Sequence, residues 1–438
     1  MATASKSTMF RMWHKLQARV AVMVLLTLMS SGKSFGYSVL THEEIVDIVW
    51  TQEIRPIILV RFPDLSEDQI REAHAYAYGG SVIQDLGYYP FGNKEFSNLT
   101  HYVRSGDFVE ELIRESRDAD EYAFALGALS HYASDIAGHP AINQSVAIAY
   151  PKLRAKYGKS VRYAQDKTAH LKTEFGFDTL QVAKNRYVSQ QYHDFIGFKV
   201  SEPLLARVFP VIYGLNLKDV LKNEDLAVGS YRFFISSLIP QMTQVALETH
   251  KKDLIRETPN FARKKFLYRL SRSDYEREWG KSYTKPGMGT RIIATVLRWI
   301  PKVGPLKGLG FNNPTPQTED LYIKSIDITT DHYSVFLEEA RASKLVLPNY
   351  DLDSGELTKA GEYSLADDAY AELLAQLAAS KFNQTFPQLR TNIAVFYTGM
   401  PLPSKTQKEE SSKHKTLFYL EQLKTASLRT PVEVGEAR

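Results

Sequence analysis

The stretch Ala128–Pro140, ALSHYASDIAGHP, places His131, Asp135 and His139 at steps of four residues. Residues four apart on an α-helix lie one above another on a single face. The stretch therefore predicts a helix that carries an imidazole, a carboxylate and a second imidazole along one stripe. All three are metal-type ligands, and zinc accepts imidazole nitrogen and carboxylate oxygen alike. Small Ala, Ser and Gly residues lie between them. They leave room for ions and let neighbouring helices approach closely.

Working outward, HLKTEFGFD repeats the spacing with His170 and Glu174. Taken singly, an H-x3-D or H-x3-E pair also describes a surface charge pair or a hydrogen-bonded core histidine. Five ligand-type residues between His131 and Glu174, in a chain with 11 histidines, favour the metal reading. Upstream, Asp85 in QDLGYYP and His101 in NLTHYV flank a turn-rich loop, and His42 stands in YSVLTHEEI. His74, His193, His250 and His332 have no such context and read as structural. There is no cysteine, which excludes disulfides, thiolate metal sites and thiol nucleophiles. Any metal here is held by His, Asp, Glu or backbone groups.

The surrounding chain reads as all-α. Ile45–Trp50, Asp120–His131 and Leu365–Ala379 carry apolar residues at spacings of three and four, as amphipathic helices do. No alternating strand pattern, repeat or Gly-rich phosphate loop stands out. Turn residues predict loops at Asn93–Asn98, Lys156–Ser160 and Asn312–Gln317. From about Pro401 the composition turns to Lys, Glu and Ser and predicts a flexible tail over 401–438. Between Trp279 and Thr318 there is no acidic residue, and Lys281, Lys285, Arg291, Arg298, Lys302 and Lys307 alternate with Trp299 and aliphatics. Such a segment either lies in a membrane interface or is a core-facing helix and loop with solvated cations. Pro301 and Pro305 break any long helix there.

The first 36 residues read as a secretory signal peptide. Arg11, Lys15 and Arg19 precede the apolar run Val20–Met29, which is followed by small residues. Cleavage is expected before Tyr37, after Ser34 and Gly36; an uncleaved anchor is the alternative. Removing the five basic residues of the leader takes the formal charge from +4 to −1. The mature chain then has no positive field to attract a polyanion, and no nucleic-acid partner is expected.

The order Tyr37, Thr41-His42, Asp85, His101-Tyr102, H-x3-D, His139 and H-x3-E resembles the zinc-dependent phospholipase C family. That family includes the bacterial phospholipases, the clostridial alpha-toxins and the catalytic module of glycosylphosphatidylinositol-specific phospholipase D, with single-strand zinc nucleases as distant relatives. The resemblance covers roughly Tyr37–Asp178. It implies a secreted phosphodiesterase with three zinc ions and a phospholipid or other phosphodiester substrate. Carried over by residue, Asp85, His101, His131 and Asp135 hold the first ion, and His139, His170 and Glu174 the second. The Tyr37 amine and carbonyl with His42 hold the third, with Asp135 bridging the first and third. Asp85 is the candidate general base, and Asp85 and Asp135 are the expected catalytic residues. The implied organisation is a helical catalytic domain over 37–255 and a helical extension over 256–400, with possible membrane contact at 279–318.

Two departures stand out. Many family members begin with tryptophan where this chain offers Tyr37, which is acceptable because the backbone coordinates. The D-x3-H spacing of Asp135 and His139 is shorter than in the bacterial enzymes and looks more like the phospholipase D module. The H-x3-E pair sets the chain apart from the nucleases, which usually carry H-x3-D. A metal-bearing membrane-binding protein without catalysis is the reading from another class, and the intact ligand set argues against it.

Overall fold

The computed structural model describes residues 39–183, 197–235, 239, 312–398 and 407–428. The leader, Tyr37 and the basic segment up to residue 311 fall outside these residues. The first half of the described chain contains α1 (Val39–Val49), α2 (Arg55–Arg61), α3 (Glu67–Ser81), α4 (Lys94–Tyr102), α5 (Ser105–Glu115), α6 (Ala119–Ala149), α7 (Pro151–Tyr157) and α8 (Lys167–Ala183). It continues through α9 (Glu202–Tyr213), α10 (Leu217–Val220), α11 (Glu224–Phe233), α12 (Pro316–Arg341), α13 (Ser364–Ala379), α14 (Pro387–Thr398) and α15 (Gln407–Thr425). The all-α expectation holds: among the described residues, the strands are the two-residue β1 (Tyr350–Asp351) and β2 (Glu356–Leu357), paired antiparallel.

Helix α6, 31 residues long, is the axis. Asp118 caps it by accepting the Glu121 N–H at 2.9 Å. Its residues are buried on almost every side, as befits a helix apolar all round. Helix α3 packs along one side and α12 along another. The contact with α3 is a backbone contact. A Cβ built on Gly127 would lie 2.1 Å from the Ala77 carbonyl oxygen, and one on Gly80 would lie 2.0 Å from that of Phe124. Glycine at these two positions lets the two helices touch.

Helix α12 starts in a capping box at Thr315 and Thr318. It buries Tyr322, Ile326, Thr329, Tyr333 and Leu337 at three- and four-residue spacing, and the Tyr333 hydroxyl donates to the Leu126 carbonyl at 2.8 Å. One apolar cluster runs from Val39 to Leu423. Among the described residues, helices on either side of the expected boundary at residue 255 therefore share one core, and 316–398 is part of it rather than an appendage. One loop expectation is corrected. Asn93–Asn98 largely belongs to α4, because Asn93 accepts the Glu95 N–H at 3.2 Å as a cap and Phe96 and Leu99 are buried. Within the expected tail, Gln407–Thr425 forms α15, with Thr416 and Leu423 buried.

The β1–β2 hairpin seats on α6 near Pro140, which lies inside the helix. Proline has no N–H for the Ile136 carbonyl four residues earlier. Gly355, at φ +72°, presses there; a Cβ would come 2.5 Å from the Ile136 oxygen. The left-handed φ and the close approach together demand glycine.

Candidate metal centre

Each ligand-type side chain reaches the centre from a different position in this frame. His42 comes from α1, Asp85 from the short 3₁₀ segment Ile83–Tyr88, and His101 from the end of α4. His131, Asp135 and His139 come from α6, and His170 and Glu174 from α8. All eight are buried, none more than 2 % exposed. The structure brings together every sequence-predicted site residue among those described.

Asp135 is the hub. His131 Nε2 lies 3.1 Å from its Oδ2 and His101 Nε2 3.5 Å from the same oxygen. His42 Nε2 is 3.6 Å from Oδ1 and His139 Nε2 3.8 Å from it. His101 Nε2 also lies 3.4 Å from Asp85 Oδ1. On the far side of His139, Glu174 Oε1 is 3.8 Å from its Nε2 and 2.7 Å from His170 Nε2. These atoms form three compact groups: His42, His131 and Asp135; Asp85, His101 and His131; and His139, His170 and Glu174. Ligand atoms within each group lie within 4.8 Å of one another, which suits coordination of a common cation.

Backbone carbonyls fix two of the rings. His131 Nδ1 lies 2.9 Å from the Ser81 carbonyl and His101 Nδ1 2.8 Å from that of Ser97. With Nδ1–H donating in each, Nε2 presents its lone pair to the centre. The close approach of α3 and α6 makes the first of these contacts possible. The start of α1 is held as well: Asp178 accepts from the Leu40 N–H at 3.2 Å and the Thr41 hydroxyl at 3.0 Å. The Thr41 hydroxyl also pairs with the Tyr322 hydroxyl at 2.7 Å, which ties α1, α8 and α12 beside His42.

The electrostatics set burial against the attraction between these carboxylates and imidazoles. Burial alone would raise the Asp135 carboxyl, yet His131, His139 and His42 outweigh it and hold it well below the usual carboxylate range. Burial drives Glu174 well up, with His139 opposing. Burial lowers His42, assisted by His131, and takes His170 down to about 4. His101 goes the other way: burial pulls it down, but the carboxylates of Asp85, Asp135 and Asp353 push it up to about 9.

The donor set fits a dication. Asp135 Oδ1 and Oδ2, Glu174 Oε1 and Oε2, Asp85 Oδ1, and the Nε2 atoms of His131 and His170 are buried and make no hydrogen bond. Buried polar atoms without hydrogen-bond partners are costly, and a dication could satisfy the seven that gather here.

One neighbour was not read from the sequence. Asp353, in the turn between β1 and β2, places Oδ1 3.5 Å from His139 Nδ1. Its own sequence, DLDSGE, signals only a turn. His74 is structural, as expected: it pairs with Asp47 at 2.9 Å and stacks on Trp50 at 3.7 Å.

Fold and site define an all-α protein with buried carboxylate–imidazole groups that could hold metal. The model of the family described as zinc dependent phospholipase C matches residues 41–221, so the chain carries a domain of that family. The matched span includes all eight residues of the centre and excludes the β1–β2 hairpin. No curated protein and no solved structure matches the chain. The family supports a zinc-dependent, phospholipase-type hydrolase.

Proposed function

We propose that the protein is an exported, zinc-dependent phosphodiesterase that cleaves phospholipid head groups as a phospholipase C. The observation that carries this reading is Asp135, a fully buried carboxylate faced by four imidazole Nε2 atoms at 3.1–3.8 Å. Around it, Asp85, His101, His131 and Asp135 would hold one ion, and His139, His170 and Glu174 a second. His42 would hold a third together with the α-amino group and carbonyl of Tyr37, freed by cleavage of the leader.

Phosphodiesters resist hydrolysis because the anion repels a nucleophile and the alkoxide leaves poorly. Zinc held here would supply positive charge against the phosphoryl oxygens and make water acidic enough to attack near neutral pH. The chain's own residues do the rest. Asp85 would orient the attacking water and take its proton. The carbonyls of Ser81 and Ser97 keep His131 and His101 in the ligating tautomer, and burial keeps bulk water from competing for the ligands. Peripheral contact with the lipid surface belongs to the same reading.

The test is phosphorus NMR of mixed phospholipid vesicles incubated with protein beginning at Tyr37 and loaded with zinc. Phosphocholine or phosphoethanolamine, abolished by a chelator, is the expected product. Phosphatidic acid would mean cleavage on the other side of phosphorus. Hydrolysis of single-stranded DNA with the vesicles intact would overturn the lipid assignment in favour of a nuclease.

A further inference from the structure

The hairpin beyond the family-matched span meets the metal centre at His139, through Asp353. Asp353 is buried, and its two carboxylate oxygens have different tasks. Oδ2 accepts the hydroxyls of Tyr102, at 2.7 Å, and of Tyr363. Oδ1 is left facing His139 Nδ1 at 3.5 Å. Its backbone is held on both sides, since Asp353 N–H donates to Asp351 Oδ1 at 3.0 Å and its carbonyl accepts from Asn143 Nδ2 at 3.1 Å. Leu352 N–H donates to the carbonyl of His101 at 3.2 Å, and Gly355 sits on the Ile136 carbonyl one turn before His139. The turn is thus fastened to α4 and α6 at the residues that carry the centre.

We infer that Asp353 is a positioning residue for His139: it accepts the Nδ1 proton and so directs the Nε2 lone pair toward the group shared with His170 and Glu174. This rests on the proposed zinc site and adds a determinant from a segment outside the family-matched span. A carboxylate behind a ligating imidazole selects the tautomer and raises the ring's basicity, and losing such a partner typically costs about 10–100-fold in metal affinity. The two tyrosine hydroxyls give the contact its direction. Both donate, so they require an acceptor at Oδ2. In Asp353→Asn they would capture the amide oxygen and turn the NH2 toward His139. A donor facing Nδ1 favours the tautomer with its proton on Nε2, which cannot ligate.

Zinc content and chelator competition are measured on full-length protein beginning at Tyr37, wild type against Asp353→Asn, with urea unfolding in excess chelator as the control for folding. The expected result is about 10–100-fold weaker binding of one ion, the others kept, and an unfolding midpoint in chelator close to wild type. Unchanged affinity for every ion in Asp353→Asn overturns the inference while leaving the zinc site standing. So does a lowered midpoint in chelator with unchanged zinc binding, which would mark a structural role. Wild-type protein that takes up no zinc overturns the site and this inference together. If Asp353→Asn does not fold, Tyr363→Phe decides: a several-fold loss of affinity for one ion supports the inference, and none overturns it.

Discussion

Replacing Gly127 with alanine sets local propensity against packing, and the two predict opposite signs. Gly127 lies inside α6, where Gly→Ala ordinarily stabilises by about 1 kcal/mol. The new Cβ would sit 2.1 Å from the Ala77 oxygen and 2.9 Å from both the Ala77 carbon and the Ser81 nitrogen. Carbon–oxygen contacts settle at about 3.3 Å or more. No side chain can turn away, because every clashing atom is backbone, so α3 and α6 must part by roughly 1 Å. Overpacking of this kind costs about 1–3 kcal/mol. Separation also stretches the 2.9 Å contact between His131 Nδ1 and the Ser81 carbonyl, a further loss of about 1 kcal/mol. Net destabilisation of about 1–3 kcal/mol is expected from urea unfolding in excess chelator. Zinc binding should weaken too, since His131 belongs to two of the three ligand groups. Gly229, exposed in α11 with no atom within 4 Å of a built Cβ, is the control, and Gly229→Ala should gain up to about 1 kcal/mol. A Gly127→Ala protein at least as stable as wild type would refute the close-contact account.

Three further outcomes are expected. Asp135→Asn should lower turnover by about two orders of magnitude or more and reduce zinc content, as seen by initial rates and metal analysis; near-normal activity with full occupancy would remove Asp135 from the centre. Zinc uptake at pH 7 should release a proton from His101, whose pKa without metal is pushed up to about 9. Affinity at that group should therefore rise up to tenfold per pH unit between about 7 and 9, and calorimetry in buffers of different ionisation enthalpy counts the proton. Metal-free protein should lose stability over the same range. His101 and Glu174 both have folded pKa values above their unfolded ones, so their contributions hold at low pH and fade as each deprotonates. His42 and His170, shifted down, act only below about 6.5 and add no slope there. Melting temperatures in chelator from pH 7 to 9 should fall, and zinc should flatten the trend.

The centre was legible where chemistry coincides with helical period. His131, Asp135 and His139 declare themselves because four-residue steps on a helix imply a shared face, and His170 with Glu174 repeats that signal. Asp85, His101 and His42 carry no period of their own, and only family resemblance assigned them to particular ions. Asp353 was invisible because its meaning depends on a contact across more than two hundred residues, and its neighbours Ser354 and Gly355 spell only a turn. The 93–98 segment misled for a related reason. Asn, Lys and Ser suggest a loop, but asparagine at its first position caps a helix, and buried Phe96 and Leu99 then decide the outcome. In the tail, buried Thr416 and Leu423 outweigh a composition that reads as disorder.

The seat of Gly355 on the Ile136 carbonyl also sets an order of assembly. Every ligand-type residue from His42 to Glu174 leaves the ribosome before the hairpin at 350–357 exists. A nascent chain that ends near residue 200 already carries those side chains but lacks the wall that closes over His139. Contacts so distant in sequence form slowly, because a long loop must first be closed. The His139 corner is therefore completed last, after most of the chain has been synthesised.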